Sequence, residues 1–240
     1  MSGHSRWAQI KHKKAGSDAK RGALFSKLSR LITVAARDGG GDPKANAKLR
    51  NATEQARSAG IPRENIERAI ARGVGGSEEA ALREVEYEAY GQSGSAYLIA
   101  GVTDNANRTT NEIKHILMEH GGRLAQMGSV AWLFERRIAA DFALPEERRD
   151  EVELVLIDAG AEDTVVLKDR FRAIVEPERW ENFREALDAR GFRPLEWSTV
   201  ALAKNPIALT GERFAAVVRL REALEDHSDV NDVWTNVNEP

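Results

Sequence analysis

The hydrophobic pattern of this chain changes its period once, at a run of glycines, and this change constrains the fold more than any other feature. Up to residue 75 the apolar residues recur every three or four positions, which is the spacing of an amphipathic helix. From residue 84 they alternate with acids, which is the spacing of a strand with one face in water. The chain therefore combines a helical part with an α+β part. The stripe on the first helix consists of Leu24, Leu28, Leu31, Ile32 and Ala35.

Glycine and proline divide the helical part into three predicted helices. Gly39-Gly40-Gly41 ends the first helix, and Asp42-Pro43 supplies a capping side chain and a first-turn proline for the second. Gly60 ends the second helix, and Pro62 opens the third. Gly73-Val74-Gly75-Gly76 then predicts a flexible joint, which marks the first domain boundary.

The α+β part begins with three predicted strands and one helix. The acids of Glu84 to Tyr90 are expected to face water, whereas Tyr97 to Val102 is nearly all apolar and is expected to lie centrally. A helix with Ile113 and Leu117 inward follows, and a strand is predicted from Val130 to Phe134.

With the rest of the chain included, the predicted fold class is a multidomain α and α+β protein, in which a helical domain is joined to α+β domains. From Arg137 to Ala203 the predicted order is β-α-β-β-α-β, the order of a ferredoxin-like unit. The elements after it are too few for another domain, so we expect them to complete the sheet begun at residue 82. The domains are a basic arm and N-terminal helical bundle in 1–76, an α+β domain in 77–135 plus 205–240, and an inserted ferredoxin-like α+β domain in 136–204.

Charge is distributed unevenly along the chain. The first 30 residues contain eight Lys/Arg and one acid, Asp18, although the whole chain carries a formal charge of −3. Residues 1–75 hold 16 Lys/Arg and 6 Asp/Glu, a net +10, which leaves −13 for the remainder. A basic module on an acidic body indicates a polyanionic partner at one end, and nucleic acid is the first candidate.

Several function classes are disfavoured by what the chain lacks. It has no cysteine, which excludes disulfides and thiolate sites and fits a reducing compartment. It has no signal-peptide pattern and no apolar run of about 18 residues, so a cytoplasmic protein without membrane contact is expected. The glycine runs are not P-loops, His115 and His120 do not share a helix face, and no nucleophile elbow occurs. We expect no enzyme activity, metal or cofactor.

The basic start supplies most of the predicted nucleic-acid contacts. Trp7, between cations, either stacks on an unpaired base, which matters more for RNA than for duplex DNA, or packs the arm onto the bundle. An ordinary solvated terminus is the alternative for the whole run. On the first helix, Lys20, Lys27, Arg30 and Arg37 are predicted to face solvent. The predicted nucleic-acid-binding residues are His4, Arg6, Trp7, Lys11, His12, Lys13, Lys14, Lys20, Arg21, Lys27 and Arg108.

Arg108 belongs to a second candidate site, between a predicted strand and a helix. The segment Asp104-Asn105-Ala106-Asn107-Arg108-Thr109 is rich in residues that form turns and helix caps. Capping does not account for Arg108, so the loop is interpreted either as a helix start or as a second contact surface.

Motifs spread over the whole chain resemble those of the YebC-type family. One departure is Leu124-Ala125-Gln126-Met127, where relatives tend to have smaller and more polar residues. The matching segments are Gly3-His4-Ser5-Arg6-Trp7, Ile10-Lys11-His12-Lys13-Lys14, Asp18-Ala19-Lys20-Arg21-Gly22, Gly39-Gly40-Gly41-Asp42-Pro43, Ile66-Glu67-Arg68-Ala69-Ile70, Thr103-Asp104-Asn105, Asn107-Arg108-Thr109, His120-Gly121-Gly122, Gly128-Ser129-Val130, Ala161-Glu162-Asp163 and Val233-Trp234-Thr235-Asn236.

The resemblance implies a three-domain protein with a role in gene expression. Family members are described as probable DNA-binding transcriptional regulators, a mitochondrial branch activates translation, and bacterial members relieve ribosomes stalled at proline-rich stretches. Duplex DNA and ribosomal RNA are thus both expected partners. The chemistry favours RNA, because no helix-turn-helix is evident and a monomer with one basic end suits a structured RNA surface. The alternative class is a protein-interaction adaptor that acts through its acidic domains.

Trp7→Ala distinguishes the two interpretations of the basic arm. A tryptophan stacked on an unpaired base contributes about 1–3 kcal/mol, so the substitution is expected to weaken binding to single-stranded or structured RNA about tenfold or more. Duplex DNA affinity should change little, whereas Lys13→Ala with Lys14→Ala should weaken both, because phosphates carry no sequence identity. Equilibrium titrations measure this. Unchanged RNA affinity in Trp7→Ala, with reduced affinity in the lysine variant, would make Trp7 a packing residue.

Overall fold

The N-terminal part of the described chain is a three-helix bundle. The computed structural model describes residues 18–76, 82–143, 149–167 and 170–238, with the side chains of 18–20 and 149 left out. The helices are α1 (Asp18–Gly39), α2 (Ala47–Ser58) and α3 (Arg63–Val74). Their apolar stripes meet in one core, because residues three and four apart share a helix face. Its buried residues include Leu28, Ile32, Ala35, Leu49, Ala56, Ile66 and Ala69.

Asn46, rather than Asp42, caps the second helix. Asn46 Oδ1 accepts a hydrogen bond from the Leu49 amide at 3.1 Å, and Nδ2 donates to the carbonyls of Ala35 (2.7 Å) and Gly40 (2.9 Å). The prediction that Asp42-Pro43 starts α2 is therefore wrong. Asp42 Oδ1 instead accepts from the Lys44 amide in a turn before the helix, whereas the buried Asn46 amide joins the end of α1 to the start of α2.

Gly73 lies inside α3, where it allows close packing against α1. The prediction of a joint starting at Gly73 is wrong, because the helix continues to Val74 and Gly73 is buried. A Cβ on Gly73 would meet the Thr33 carbonyl oxygen at 2.3 Å and the Ala36 Cβ at 2.8 Å. The lack of a side chain at Gly73 therefore allows α1 and α3 to pack closely, and this glycine does not mark a flexible joint.

The first sheet has the order β3-β1-β2-β9, and all its pairs are antiparallel. Helices α4 (Ala106–Glu119) and α7 (Gly211–Asp226) pack on it around a core that includes Tyr97, Ile99, Ile113 and Leu224. The short strands β8 (Ile207–Ala208) and β10 (Val237–Asn238) pair in parallel beside it. The strands of the first sheet are β1 (Arg83–Tyr90), β2 (Ala96–Thr103), β3 (Arg123–Leu124) and β9 (Val230–Thr235).

The second sheet has the order β5-β6-β4-β7, and it is also antiparallel. With its helices the chain order is β-α-β-β-α-β. The core contains an aromatic group in which Phe142, Trp180 and Phe183 are in contact. Asp169, predicted at the turn between β5 and β6, lies outside the described residues. The elements are β4 (Phe134–Ala143), α5 (Arg149–Asp158), β5 (Asp163–Val166), β6 (Arg170–Val175), α6 (Trp180–Asp188) and β7 (Glu196–Ala203).

A buried carboxylate prevents a strand before Phe134. The predicted strand from Val130 is instead a 3-10 turn, and β4 begins at Phe134 and continues to Ala143. The cause is Glu88 on β1, which accepts hydrogen bonds from the amides of Val130 and Ala131, groups that a strand would need for pairing. Glu88 is buried, so the prediction that all acids of this strand face water is wrong.

Membrane crossing finds no support in the described chain. None of the helices in residues 18–76, 82–143, 149–167 and 170–238 combines the length and apolar character that a bilayer requires. The predicted domain limits at residues 76, 135 and 204 stay a prediction.

Gly73→Ala should destabilise the bundle although alanine is the better helix former. The methyl group would push against the Thr33 carbonyl, and overpacking of this kind costs about 1–3 kcal/mol of unfolding free energy. Gly22→Ala is the matched control, because no described atom beyond its own stretch of α1 lies within 4 Å of its Cβ position, and it should stabilise by about 0.5–1 kcal/mol. Chemical denaturation measures both changes. If Gly73→Ala instead raised the unfolding free energy, α1 and α3 would have moved apart to accommodate the methyl group without a cost.

Candidate nucleic-acid interface

The basic arm precedes the described residues. His4, Arg6, Trp7, Lys11, His12, Lys13 and Lys14 all lie outside them, and the side chain of Lys20 does too. The described chain begins with α1 at Asp18, four residues after Lys14 in the sequence.

Arg21 is the first predicted contact residue whose side chain the structure describes. It is exposed on α1, four residues before Phe25 and eight before Ser29. Residues at these spacings share a helix face, so Arg21, Phe25 and Ser29 form one row along α1. The row runs from near the start of α1 to the cleft between α1 and α3, which Phe25 and Ser29 line.

The cleft between α1 and α3 has a volume of about 290 Å³, and the described residues that line it include no acid. Its lining from α1 is Phe25, Ser26 and Ser29, and Ile61 precedes α3. From α3 come Asn65, Arg68 and Arg72, at positions i, i+3 and i+7, which fall on one side of the helix. The cleft therefore presents two guanidinium groups, two hydroxyls, an amide and an aromatic edge.

Neither arginine of the cleft is neutralised by a carboxylate within the described part of the chain. Arg68 donates weakly to Asn65 Oδ1 (3.4 Å), and Arg72 Nη2 donates to Ser29 Oγ (2.7 Å). By contrast, Arg63 on the same helix pairs with Glu67 at 2.6 Å, which raises the pKa of Arg63 through their hydrogen bond. Arg68 and Arg72 were not singled out from the sequence, although the acid-free stripe of α3 was a signal for them.

Lys27 and Arg30 face the first sheet rather than solvent. Lys27 is only 9% exposed, and its Nζ donates to the Glu225 carbonyl at 2.6 Å. Arg30 Nη1 donates to Asp229 Oδ1 at 2.5 Å. The predicted solvent-facing position is therefore wrong for both, because a helical wheel does not show that α7 and the start of β9 cover the outer face of α1. Arg37, one of the four, is exposed as predicted.

Arg108 is part of an ion-pair network centred on the buried Asp229. Its Nη2 lies 2.7 Å from Asp229 Oδ2 and 2.8 Å from Asp104 Oδ1. Asn105 Oδ1 accepts from the Arg108 amide and caps α4, as the capping interpretation predicts. The ion pairs with Asp229 and Asp104 explain the arginine at position 108, which helix capping does not. A contact between Arg108 and nucleic acid stays a prediction.

Asp229 ties the helical bundle to the first sheet. Besides the two arginines, Thr103 Oγ1 (3.0 Å) and Thr109 Oγ1 (2.7 Å) donate to Oδ2. Burial opposes ionisation of Asp229, but the hydrogen bonds from Thr109, Arg108, Arg30 and Thr103 outweigh it and hold the pKa of this carboxyl well below its ordinary value. The donors come from α1, the end of β2 and α4, so one charged group orients three elements.

Two family models together match nearly all of the chain. The model described as the TACO1/YebC protein N-terminal domain matches residues 5–76, and that described as the TACO1/YebC second and third domain matches residues 82–237. The chain belongs to the TACO1/YebC family. The motifs that resemble the YebC type, including Thr103-Asp104-Asn105 and Asn107-Arg108-Thr109, thus surround Asp229 in a member of that family.

Relatives align over the full length of this family member. A probable transcriptional regulatory protein of Thermoanaerobacter pseudethanolicus is 44% identical over 99% of this chain and 97% of its own length. A protein of the same description from Pseudothermotoga lettingae is also 44% identical, over 98% and 93%. The crystal structure of a conserved hypothetical protein from Aquifex aeolicus is similar with a TM-score of 0.87, at 40% identity over 98% of both chains.

His227 lies beside the Asp229 network, with its Nε2 at 2.9 Å from Glu112 Oε2. Glu112, His227 and Asp229 offer ligand atoms within 4.8 Å of one another, an arrangement that sequence reasoning missed because residue 112 is remote from 227 and 229 in the chain. Asp229 is already bound by two guanidinium groups, so its charge is neutralised without a metal. The cluster therefore fits a hydrogen-bonded junction better than a cation site.

A second, larger cleft of about 380 Å³ lies between α2 and the second sheet, and its charges are mixed. Glu54, Asp188 and Glu196 line it together with Arg57, Arg184 and Arg193. Trp197 Nε1 donates to Glu54 Oε2 across it at 2.5 Å. Carboxylates in the lining disfavour a polyanion, so the α1–α3 cleft is the better candidate for phosphate.

Asp229→Asn should destabilise the protein in a pH-dependent manner. The amide keeps the shape but removes the charge, and the loss of charged hydrogen bonds costs about 1.5–3 kcal/mol of unfolding free energy at neutral pH. Because the pKa of Asp229 is lower in the folded chain than its ordinary value of 3.8, the stabilisation is complete above that value and is lost as the pH falls below it. Denaturant unfolding from neutral pH down to about pH 3 should show the difference shrinking.

Asp104→Asn is the control for this measurement. Asp104 is an exposed partner of Arg108, and an exposed pair contributes about 0–1 kcal/mol. A difference between Asp229→Asn and the parent chain that does not vary with pH would show that the mismatch of the amide NH2 with the surrounding donors, not the loss of charge, destabilises the variant.

Proposed function

We propose that this chain is a non-catalytic, nucleic-acid-binding regulator of gene expression. In this proposal the N-terminal bundle and its basic arm bind phosphates. The observation that carries it is the acid-free cleft between α1 and α3, where Arg68 and Arg72 have hydroxyl and amide neighbours but no carboxylate partner among the described residues. Guanidinium groups that are not neutralised internally remain available to phosphate oxygens, which they bind in a bidentate manner.

The arm and the cleft support each other as one binding surface. The row of Arg21, Phe25 and Ser29 runs along α1 from near its start to the cleft, where Ser29 contacts Arg72. Residues 1–75 carry a net +10, so counterion release from several phosphates at once is available to them. Lys27 is left out of this surface because it is buried against α7.

The names of the relatives support the regulatory part of the proposal. Full-length relatives are called probable transcriptional regulatory proteins, and a DNA-binding regulator would contact duplex DNA through this surface. A ribosome-associated translation factor would contact ribosomal RNA through the same cations, because DNA and RNA both have backbone phosphates. We favour RNA, since the described helices offer an acid-free cleft rather than a protruding helix that could enter a major groove. The proposal includes a monomer that acts in the cytoplasm without a cofactor, as the sequence analysis expects.

We also propose that residues 136–204, which contain the second sheet, form a domain inserted into the α+β domain that contains the first sheet. Strand β9 pairs with β2, although the whole of β4 to β7 lies between them in sequence. This pairing supports the division into residues 1–76, 77–135 plus 205–240, and 136–204.

Replacing both cleft arginines should weaken nucleic-acid binding and its salt dependence. Arg68→Gln with Arg72→Gln removes two phosphate contacts, so the slope of log affinity against log salt should fall in magnitude by about 1.4–1.8. Affinity at low salt should fall about tenfold or more for single-stranded RNA and for duplex DNA alike. Fluorescence anisotropy with labelled oligonucleotides at several salt concentrations measures both quantities.

The control variant removes the same net charge from paired arginines. Arg63→Gln with Arg219→Gln removes partners of Glu67 and Glu212, so binding should change little. An equal loss in both variants would show that net charge alone matters and would reject the cleft. A parent chain without salt-dependent binding would reject nucleic-acid binding and favour the adaptor.

A further inference from the structure

The loop before β4 presents two large apolar side chains to solvent. Met127 is 89% exposed and Trp132 is 63% exposed. Tryptophan is enriched at interfaces, and these two exposed apolar side chains lie in one loop rather than scattered over the surface, so the loop is a candidate contact surface. We call residues 124–133 the tryptophan loop.

The backbone of the tryptophan loop is fixed by hydrogen bonds to the buried side chain of Glu88. The buried carboxylate accepts hydrogen bonds from the amides of Gly128, Val130 and Ala131. Burial opposes ionisation of Glu88, but these backbone donors outweigh it and keep the pKa of Glu88 below its ordinary value. The carboxylate is therefore charged at neutral pH and fixes the backbone that carries Trp132, so little conformational entropy is lost when a ligand binds.

The indole itself is oriented by the carbonyl of Ser129. Trp132 Nε1 donates to this oxygen at 2.9 Å, and Tyr90 OH donates to the same oxygen at 2.9 Å. The guanidinium of Arg123 lies over the Tyr90 ring, 5.2 Å from its centroid. Ser129 thus connects an exposed indole to an arginine stacked on a second aromatic ring.

The local charge favours an anionic ligand. The sequence has no acid from His120 to Phe134, although the chain after residue 75 carries a net −13. Arg123 is exposed, and within the described chain no carboxylate lies in ion-pair distance of it. Glu88 is buried beneath the loop and its oxygens are occupied by backbone amides. The surface around Tyr90 therefore offers an exposed indole and, stacked on the Tyr90 ring, a cation without a carboxylate partner among the described residues.

We propose that Trp132 is a stacking platform for an unpaired base of single-stranded RNA, with Arg123 binding an adjoining phosphate. The inference rests on the proposed nucleic-acid binding and adds the class of ligand. A fixed aromatic face beside a cation is the usual device for holding single strands, because every base has a π-face and every nucleotide a phosphate. The bases of a duplex are stacked on each other and cannot cover the indole. Met127, in the same loop, is a second exposed apolar side chain, and it is an adaptable one.

The test compares the full chain with variants of the tryptophan loop on two probes, a labelled 12-nucleotide oligoadenylate RNA and a labelled 12-base-pair DNA duplex. Trp132→Ala should weaken RNA binding about tenfold and leave duplex binding within about twofold. Trp132→Phe keeps a ring and should retain most of the RNA affinity. Met118→Ala is the matched control, because Met118 is equally exposed, at 63%, on α4 and should leave both affinities unchanged.

A second variant and a fluorescence readout test the stacking platform even if Trp132→Ala fails to fold. Arg123→Gln should weaken RNA binding without removing an aromatic ring, and RNA should quench less tryptophan fluorescence in Trp132→Phe than in the parent chain. Unchanged RNA affinity in Trp132→Ala, or an equal loss for RNA and duplex, would overturn the stacking platform. Nucleic-acid binding would still stand if Arg68→Gln with Arg72→Gln weakens both probes, so the two proposals fail separately.

Discussion

The carboxylate of Asp229 is the interaction on which the arrangement of the described chain most depends. It lies at the start of β9, almost fully buried, and accepts hydrogen bonds from side chains of α1, β2 and α4. A buried charge is stable only when its lone pairs are satisfied, so these elements have to meet in one geometry. The backbone reinforces this, because the Asp229 carbonyl accepts from the Val102 amide at 2.9 Å. A side chain on Gly101 would lie 2.0 Å from the same carbonyl oxygen.

Glu88 has a comparable role on the other side of the first sheet, with a different set of donors. Asp229 is satisfied mainly by guanidinium and hydroxyl groups, whereas Glu88 is satisfied by backbone amides of the tryptophan loop. The first arrangement joins separate elements, and the second fixes the path of a single loop. Both lower the pKa of a buried acid. Several of the donors belong to segments that match the YebC-type motifs, namely Thr103, Arg108 and Thr109 at Asp229, and Gly128 and Val130 at Glu88. We infer that these motifs specify geometry as much as contact chemistry.

Periodicity along the chain was enough to predict the helices, the central strand Tyr97 to Val102 and the β-α-β-β-α-β order, since these patterns are local. What local pattern could not show is which distant segment covers a given face. Lys27 and Arg30 looked solvent-facing because the wheel of α1 contains no information about α7 or Asp229. For the same reason Glu88 looked like one more exposed acid. The stripe of α3 that carries Arg68 and Arg72 is free of acids in the sequence, but these arginines were missed because the cleft they line forms only when α3 packs beside α1.

The position of β9 after β4 to β7 in the sequence has a consequence for synthesis on the ribosome. Strand β2 is central in the first sheet, but one of its edges stays bare until residues 230–235 have been made. The whole of β4 to β7 emerges earlier and can pair completely within itself. A bare edge of apolar residues invites pairing with other nascent chains. Residues 230–235 therefore decide how long the apolar strand β2 keeps a bare edge during synthesis, and products truncated before them are the ones at risk of aggregation.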